Sequence, residues 1–354
     1  MAASEMAHAL RAHLLAGQVI PAHPLALTAQ RALDERHQRA LTRYYLDAGA
    51  GGIAVGVHTT QFAIRNPQHG LYRPVLELAA DTVRAALGPG ARPFALVAGV
   101  VGDTRQAVAE AELAAALGYD IALLGLGAMP GASDAALIGH CRAVAEVLPL
   151  FGFYLQPAVG GRVLSYRFWR DFAEIQRAWA IKIAPFNRYQ TLDVVRAVAD
   201  AGRDDIALYT GNDDNIIVDL LTSFPVRGHG RPSTRSIVGG LLGQWAMWTR
   251  TAAHTLERSH IARTEPLDAS WLRESAALTD ANGAIFDAAH AFAGCIPGIH
   301  EVLRRQGLLR GIWCLDPGET LSPGQAEEID RVCAQYPELG DDAFVREHLD
   351  RWLA

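Results

Sequence analysis

The segment AWAIKIAP, residues 178–185, places a lysine between two isoleucines in an apolar run. Lys182 is the only lysine in 354 residues; lysine and arginine together number 32, so 32 − 1 = 31 are arginines. An isolated ammonium is costly in apolar surroundings, and burial favours the neutral amine. A lysine that is neutral near pH 7 can attack a carbonyl carbon and form a Schiff base. A structural ion pair with a carboxylate is the plain alternative. Arginine would serve there equally well, and this chain prefers arginine, which stays protonated and cannot be a nucleophilic amine. If the segment is a strand, Ala180, Lys182 and Ala184 share one face and Ile181 and Ile183 share the other.

Other chemistry-bearing residues stand at the ends of apolar runs. Tyr154 closes LFGFYLQP (150–157), the run before the lysine segment, and a phenol beside an amine can relay protons. A core tyrosine with a satisfied hydroxyl is equally compatible. In GVHTTQF (56–62), Thr59 and Thr60 follow a glycine-bounded run, and a tight turn there could hold a carboxylate on backbone N–H groups and hydroxyls. In TGNDDN (210–215), Gly211 allows close backbone approach, while Asn212, Asp213 and Asp214 read most simply as caps of the next helix. His58, His69 and His229 fall in loops as acid/base candidates.

The elements that would position these groups alternate. Apolar runs at 51–57, 94–101, 121–127, 150–157, 180–184 and 205–211 are separated by helical patterns, among them one opening at Asp103-Thr104 and closing at Gly118, and others over 133–147, 165–177 and 190–201. A strand–helix pair recurs about every 25–30 residues, which argues for βαβ units and a parallel sheet. With a first strand near 18–27 and a last near 226–238 the count reaches eight, and roughly 250 residues is the size of a (β/α)8 barrel. An open doubly wound sheet is the runner-up; no GxGxxG follows the first strand and no GxxxxGK[ST] occurs. Residues 1–257 are therefore expected to form the barrel with a short N-terminal helix, and residues 258–354 an appended helical region packed on it. In such a barrel the branched isoleucines suit the helix layer, and Lys182 points inward near the strand's C-terminal end, where barrel active sites lie.

Composition narrows the function classes. The chain is 50% hydrophobic and 20% charged with net charge −6, without a long basic run, which argues against nucleic-acid or anionic-membrane binding. Its four cysteines show no CxxC pair and read as thiols of a cytoplasmic protein. No stretch approaches 18 uninterrupted apolar residues, the length expected of a membrane-spanning helix.

Taken in order along roughly residues 15–330, these motifs resemble the dihydrodipicolinate synthase/N-acetylneuraminate lyase family of Schiff-base, pyruvate-dependent lyases. HTTQF resembles the family's strand-two GTTGE, Tyr154-Leu155-Gln156-Pro157 its YNxP, Ala180-Ile181-Lys182 its G(I/V)K, and Gly211-Asn212-Asp213-Asp214 its (S/N)GDD. HEVLRRQGLL resembles the segment before the family's last helix. The resemblance implies that Lys182 forms a Schiff base with pyruvate or a related 2-oxo acid, with no separate cofactor and no metal. It further implies that Tyr154 relays protons, that Thr59 and Thr60 hold the substrate carboxylate, and that Thr59 is linked to Tyr154. A homo-oligomer, dimer or tetramer, is expected on the same ground.

Departures from the pattern point away from lysine biosynthesis. LGLGAMPG replaces a strand-four TPYY-type motif, Ala158-Val159 stand where synthases carry an arginine, and Arg162 is offset from it. Gln61 and Phe62 follow the paired threonines. An aldolase or dehydratase acting on another oxo acid or sugar acid is therefore expected. His58, Gln61, Gly211, Asn212, His229 and Arg231 are the candidates for holding substrate. The competing readings are a catalytically idle relative that binds a small oxo acid, and a metal-assisted barrel hydrolase using Asp213 and Asp214.

Overall fold

The computed structural model describes residues 3–88, 92–228 and 231–354. Its strands are β1 (Val19–Pro21), β2 (Gly52–Val55), β3 (Ala95–Val100), β4 (Ile121–Leu124), β5 (Leu150–Leu155), β6 (Ala178–Ala184), β7 (Ala207–Thr210), β8 (Ser223–Gly228), β9 (Arg231–Ser236) and β10 (Gly239–Leu242). Its helices are α1 (Ala3–Ala16), α2 (Glu35–Ala48), α3 (Tyr72–Leu87), α4 (Thr104–Ala116), α5 (Asp134–Ala145), α6 (Tyr166–Phe172), α7 (Arg188–Asp200), α8 (Ile216–Leu221), α9 (Thr249–Ala262), α10 (Ser270–Ile285), α11 (Cys295–Arg305), α12 (Gln325–Gln335) and α13 (Asp342–Leu353). The expected cap at Asp103 accepts from Gln106 N–H, and α5 is capped by Ser133, which accepts from Ala136 N–H.

Eight strands pair in parallel in the order β1-β10-β7-β6-β5-β4-β3-β2. The ring closes between β1 and β2, where Gly51 N–H donates to Val19 O at 2.9 Å and His23 N–H to Ala54 O at 2.8 Å. This is a (β/α)8 TIM barrel. The eighth strand differs from expectation. The segment near 226–238 forms an antiparallel β8–β9 hairpin inserted between α8 and β10, and the barrel is completed by β10 instead. Pro225 and Pro232 explain this, since a residue without an N–H is poorly suited to a central strand. The first strand is also shorter than the run 18–27: pairing ends before Pro24, which has no N–H to donate.

Strand alternation separates two cores. Ile20, Ala95, Val97, Ile121, Leu123, Phe151 and Tyr209 fill the barrel interior, and Leu10 and Leu14 of α1 close its lower end. Ile53, Leu96, Leu124, Leu150, Ile181 and Leu208 pack outward against the helices. The helical C-terminal region continues that outer core. The expected boundary at 257/258 falls inside α9, and Tyr44 O–H donates to Asp341 Oδ2 at 2.6 Å while Trp352 Nε1–H donates to Asp47 Oδ2 at 2.6 Å. Among the described residues no helix is long and apolar enough to cross a membrane.

Candidate active site

Lys182 lies on the inner face of β6, as the alternation of small and branched residues requires. Ala180 and Ala184 belong to the interior core, Ile181 and Ile183 to the outer one. The lysine is 8% exposed, and its stem runs against Gly211, where a Cβ would come within 2.7 Å of Lys182 Cε. A Cβ there would also come within 2.8 Å of Ala184 Cβ, so a side chain at the end of β7 would crowd both β6 residues. Among the described residues Lys182 makes no ion pair and no hydrogen bond; its Nζ stands 4.5 Å from the ring centroid of Phe153. A cavity of about 60 Å³ opens beside it, bounded by His58, Thr59, Gln156, Gly211, Asp213 and Cys295 among others.

Two ionisable groups share this cavity wall with the amine. Burial lowers the Lys182 pKa to about 8, against the pull of the Asp213 charge, which raises it. Burial pushes the Asp213 carboxyl up to about 7, against the pull of Lys182. Each charge favours the ionised form of the other while burial opposes both. His58 is lowered to about 4, first by burial and then by Lys182, so it is a neutral imidazole at pH 7. The loop carrying Asp213 is clamped from α10: Asn282 Nδ2–H donates to Asp213 O at 2.7 Å and Thr279 O–H to Asp214 O at 2.9 Å.

The phenol expected beside the lysine is elsewhere. On β5 the inward residues are Phe151 and Phe153, while Leu150 and Tyr154 face the helices; a Cβ at Gly152 would meet Phe172 and Trp169. Register pairs Lys182 with Phe153. The Tyr154 hydroxyl donates to Leu164 O at 3.1 Å and accepts from Leu164 N–H at 3.2 Å, so it pins the β5–α6 loop. This corrects the relay role assigned to Tyr154. The expected Thr59–Tyr154 link is likewise replaced: Thr59 O–H donates to Ala22 O at 2.8 Å.

Other expected substrate contacts prove to be scaffolding. Thr60 O–H donates to His23 O at 2.7 Å and its oxygen accepts from Gly56 N–H at 3.0 Å, so its hydroxyl closes the turn after β2 and does not reach the cavity. Gln61 takes φ 67° and its Oε1 accepts from Leu315 N–H at 2.6 Å, tethering the C-terminal region. Asn212 is fully buried. Its Oδ1 accepts from Phe186 N–H at 3.0 Å and its Nδ2 donates to Asp219 at 2.9 Å, which joins the loops after β6 and β7. His58, Thr59 and Gly211 do line the cavity. His229 lies outside the described residues, as does the Arg231 side chain. The Arg231 backbone opens β9.

Asp213 is the member of the site that motif spacing did not single out, because TGNDDN alone does not say which aspartate turns inward. Phe186, Phe286, Phe292 and Ile299 complete the cavity from loops and C-terminal helices far apart in the chain. Among the described residues no group of three His, Cys, Asp or Glu side chains could hold a metal ion.

No protein-family model matches the sequence, and no curated protein matches it either. Solved structures do. Dihydrodipicolinate synthase from Oceanobacillus iheyensis superposes with a TM-score of 0.72 at 16% identity, over 93% of this chain and 99% of that one. A prophage protein of the dihydrodipicolinic acid synthase family from E. coli K12, solved in complex with pyruvate, gives 0.72 at 18% identity, over 91% and 98%. N-acetylneuraminate lyase from Fusobacterium nucleatum gives 0.69 at 16%, over 91% and 99%. These likenesses establish a shared fold across nearly the whole chain.

Proposed function

We propose that this chain is a divergent Schiff-base lyase of the dihydrodipicolinate synthase/N-acetylneuraminate lyase type, in which Lys182 condenses with a 2-oxo acid such as pyruvate. The observation that carries this reading is a lone lysine inside the barrel, near the C-terminal end of its strand, buried and, among the described residues, without an ion pair. In the condensation the amine nitrogen bonds to the keto carbon. Starting from the ammonium, two of its protons leave with the carbonyl oxygen as water and the third stays on the iminium nitrogen, so atoms and charge balance. Asp213, which lines the same cavity as the amine, is the group that would carry those protons. The neutral His58 and the turn at Thr59 bound the cavity where the substrate carboxylate would lie. The iminium then accepts the electron pair of a bond to the neighbouring carbon, which permits cleavage or formation of a carbon–carbon or carbon–oxygen bond.

The direct experiment is borohydride reduction in the presence of pyruvate and a panel of other 2-oxo acids, followed by peptide mass mapping. A stable adduct on the peptide containing Lys182 is the expected result, and with one lysine the assignment is unambiguous. Failure of every oxo acid to add to a folded protein would remove the reading.

One observation favours a second reading, a non-turning-over binder of small oxo acids: Phe153, not a phenol, faces the amine. In that case the adduct forms but no aldehyde or leaving group is ever released or consumed.

A further inference from the structure

Attack of an amine on a keto carbon drives the carbonyl electron pair onto oxygen, and a fixed N–H or O–H aimed at that oxygen lowers the barrier. The lysine cavity holds an amine and a carboxyl, yet its more obvious donors are spent or misplaced. The Tyr154 hydroxyl is engaged with Leu164, and Phe153 faces the amine. The Thr59 hydroxyl donates to Ala22 O. Cys295 offers only a thiol, a weak donor. Gln156 follows β5, which pairs with β6, so it approaches from the lysine's own side.

His58 differs from all of these in position and in freedom. Around the closed ring β2 stands four strands from β6 in either direction, so the turn after β2 lies across the barrel from Lys182. His58 opens that turn and lines the lysine cavity. The turn is well fixed: Gln61 N–H donates to His58 O at 2.9 Å, and the Thr59 and Thr60 hydroxyls donate to Ala22 O and His23 O at 2.8 and 2.7 Å. Phe62 packs against the imidazole with ring centroids 6.0 Å apart. Among the described residues the imidazole makes no hydrogen bond and no ion pair. Neither of its nitrogens is sealed in protein, in contrast to both nitrogens of the fully buried His300. In either tautomer one ring nitrogen is a donor, and an unspent donor in a closed cavity favours a ligand that accepts from it. Burial and the Lys182 charge keep the ring neutral at pH 7, so its N–H can polarise a carbonyl without adding a second buried cation.

We infer that His58 is a catalytic residue of the condensation, donating a hydrogen bond to the keto oxygen while Lys182 attacks the keto carbon. The inference rests on the Schiff-base reading and supplies the electrophile for its first step. The amine nitrogen bonds to carbon, and the π pair of the carbonyl moves to oxygen. Both protons that leave with that oxygen as water come from the lysine ammonium by way of Asp213, and His58 keeps its own proton throughout. Once water has left, the iminium has no oxygen for His58 to hold. Its contribution is therefore to the rate of condensation and not to the final extent.

The test is rapid mixing of the protein with pyruvate, quenched at intervals with borohydride, with the Lys182 adduct measured by peptide mass. In His58→Ala and His58→Leu, which lack a donor, the rate of adduct formation is expected to fall at least about hundredfold. The final amplitude and the half-saturating pyruvate concentration are expected to stay within about threefold of wild type. His58→Gln, which restores an N–H, is expected to recover to within about tenfold of the wild-type rate. Circular dichroism checks folding, and if one donorless variant fails to fold the other carries the comparison. An unchanged rate in a folded donorless variant, or a glutamine variant no faster than the alanine one, overturns the inference and leaves the Schiff-base reading intact. Weaker pyruvate affinity at a preserved rate also overturns it, because His58 would then hold the substrate carboxylate instead of the keto oxygen. A folded wild type that captures no oxo acid removes both readings together.

Discussion

The two ends of the barrel differ in which residues take left-handed backbone conformations. At the end where helices lead into strands, left-handed positions are glycine, as at Gly49 (φ 98°) after α2 and Gly118 (φ 82°) after α4. At the mouth glycine holds this region after β2, β3 and β5 (Gly56, φ 79°; Gly102, φ 98°; Gly160, φ 90°), but residues with side chains enter it as well: Gln61 (φ 67°) after β2, Phe186 (φ 52°) after β6 and Phe292 (φ 68°) between α10 and α11. Such residues cost about 1–2 kcal/mol each relative to glycine. Each does something glycine cannot. Gln61 holds Leu315, while Phe186 and Phe292 line the lysine cavity and meet with ring centroids 5.8 Å apart. The lower end, by contrast, is packed shut: Leu10 and Leu14 enter the ring of strands, and Tyr209 O–H donates to Leu14 O at 2.8 Å. Stability gathered at the closed end lets the mouth keep a buried amine, a raised carboxyl and strained loops.

That contrast can be broken by mutations placed at either end. The largest effect is expected from Lys182→Arg, which keeps the charge but removes the nucleophile: turnover should fall by a factor on the order of 10³ or more, and the borohydride adduct should vanish. An adduct that persists elsewhere on the chain would contradict the assignment.

Asp213→Asn comes next, with a loss of about 10²–10⁴ in turnover if the carboxyl moves protons. It also carries a signed pH signature. Capture requires the neutral amine, so its rate rises with pH through the Lys182 pKa of about 8. Asp213 raises that pKa, so removing its charge should move the acid limb to lower pH. An unmoved or upward-shifted limb would show that the carboxyl does not face the amine.

At the closed end, Leu14→Ala should cost about 2–5 kcal/mol in denaturant unfolding while leaving the capture of pyruvate unchanged below the melting transition. A large drop in capture with little loss of stability would mean that the two ends are not separable.

The smallest effect is expected from Tyr154→Phe. Losing the hydroxyl's two bonds to Leu164 should cost about 1–3 kcal/mol of stability and change turnover by less than about twofold. A hundredfold drop in kcat without destabilisation would return the phenol to the chemistry.

The barrel and its lysine were legible because they rest on local pattern. Alternating strands and helices of the right length, the cap at Asp103, and two isoleucines flanking a lysine each carry their meaning within a few residues. Hydrophobic periodicity alone put Lys182 on the inner face of its strand. What lay beyond the sequence was phase and partnership. LFGFYL is apolar on both faces, so nothing in it tells whether Phe153 or Tyr154 turns inward; pairing with β6 and the Trp169–Phe172 layer decided that. Likewise, which aspartate of TGNDDN faces the amine depended on α10 clamping the loop from about 70 residues away in sequence, a contact that leaves no local trace. Composition and periodicity determine which residues must be buried, whereas only the closed tertiary structure determines which of them meet, because contacts between distant segments are set by packing and not by spacing.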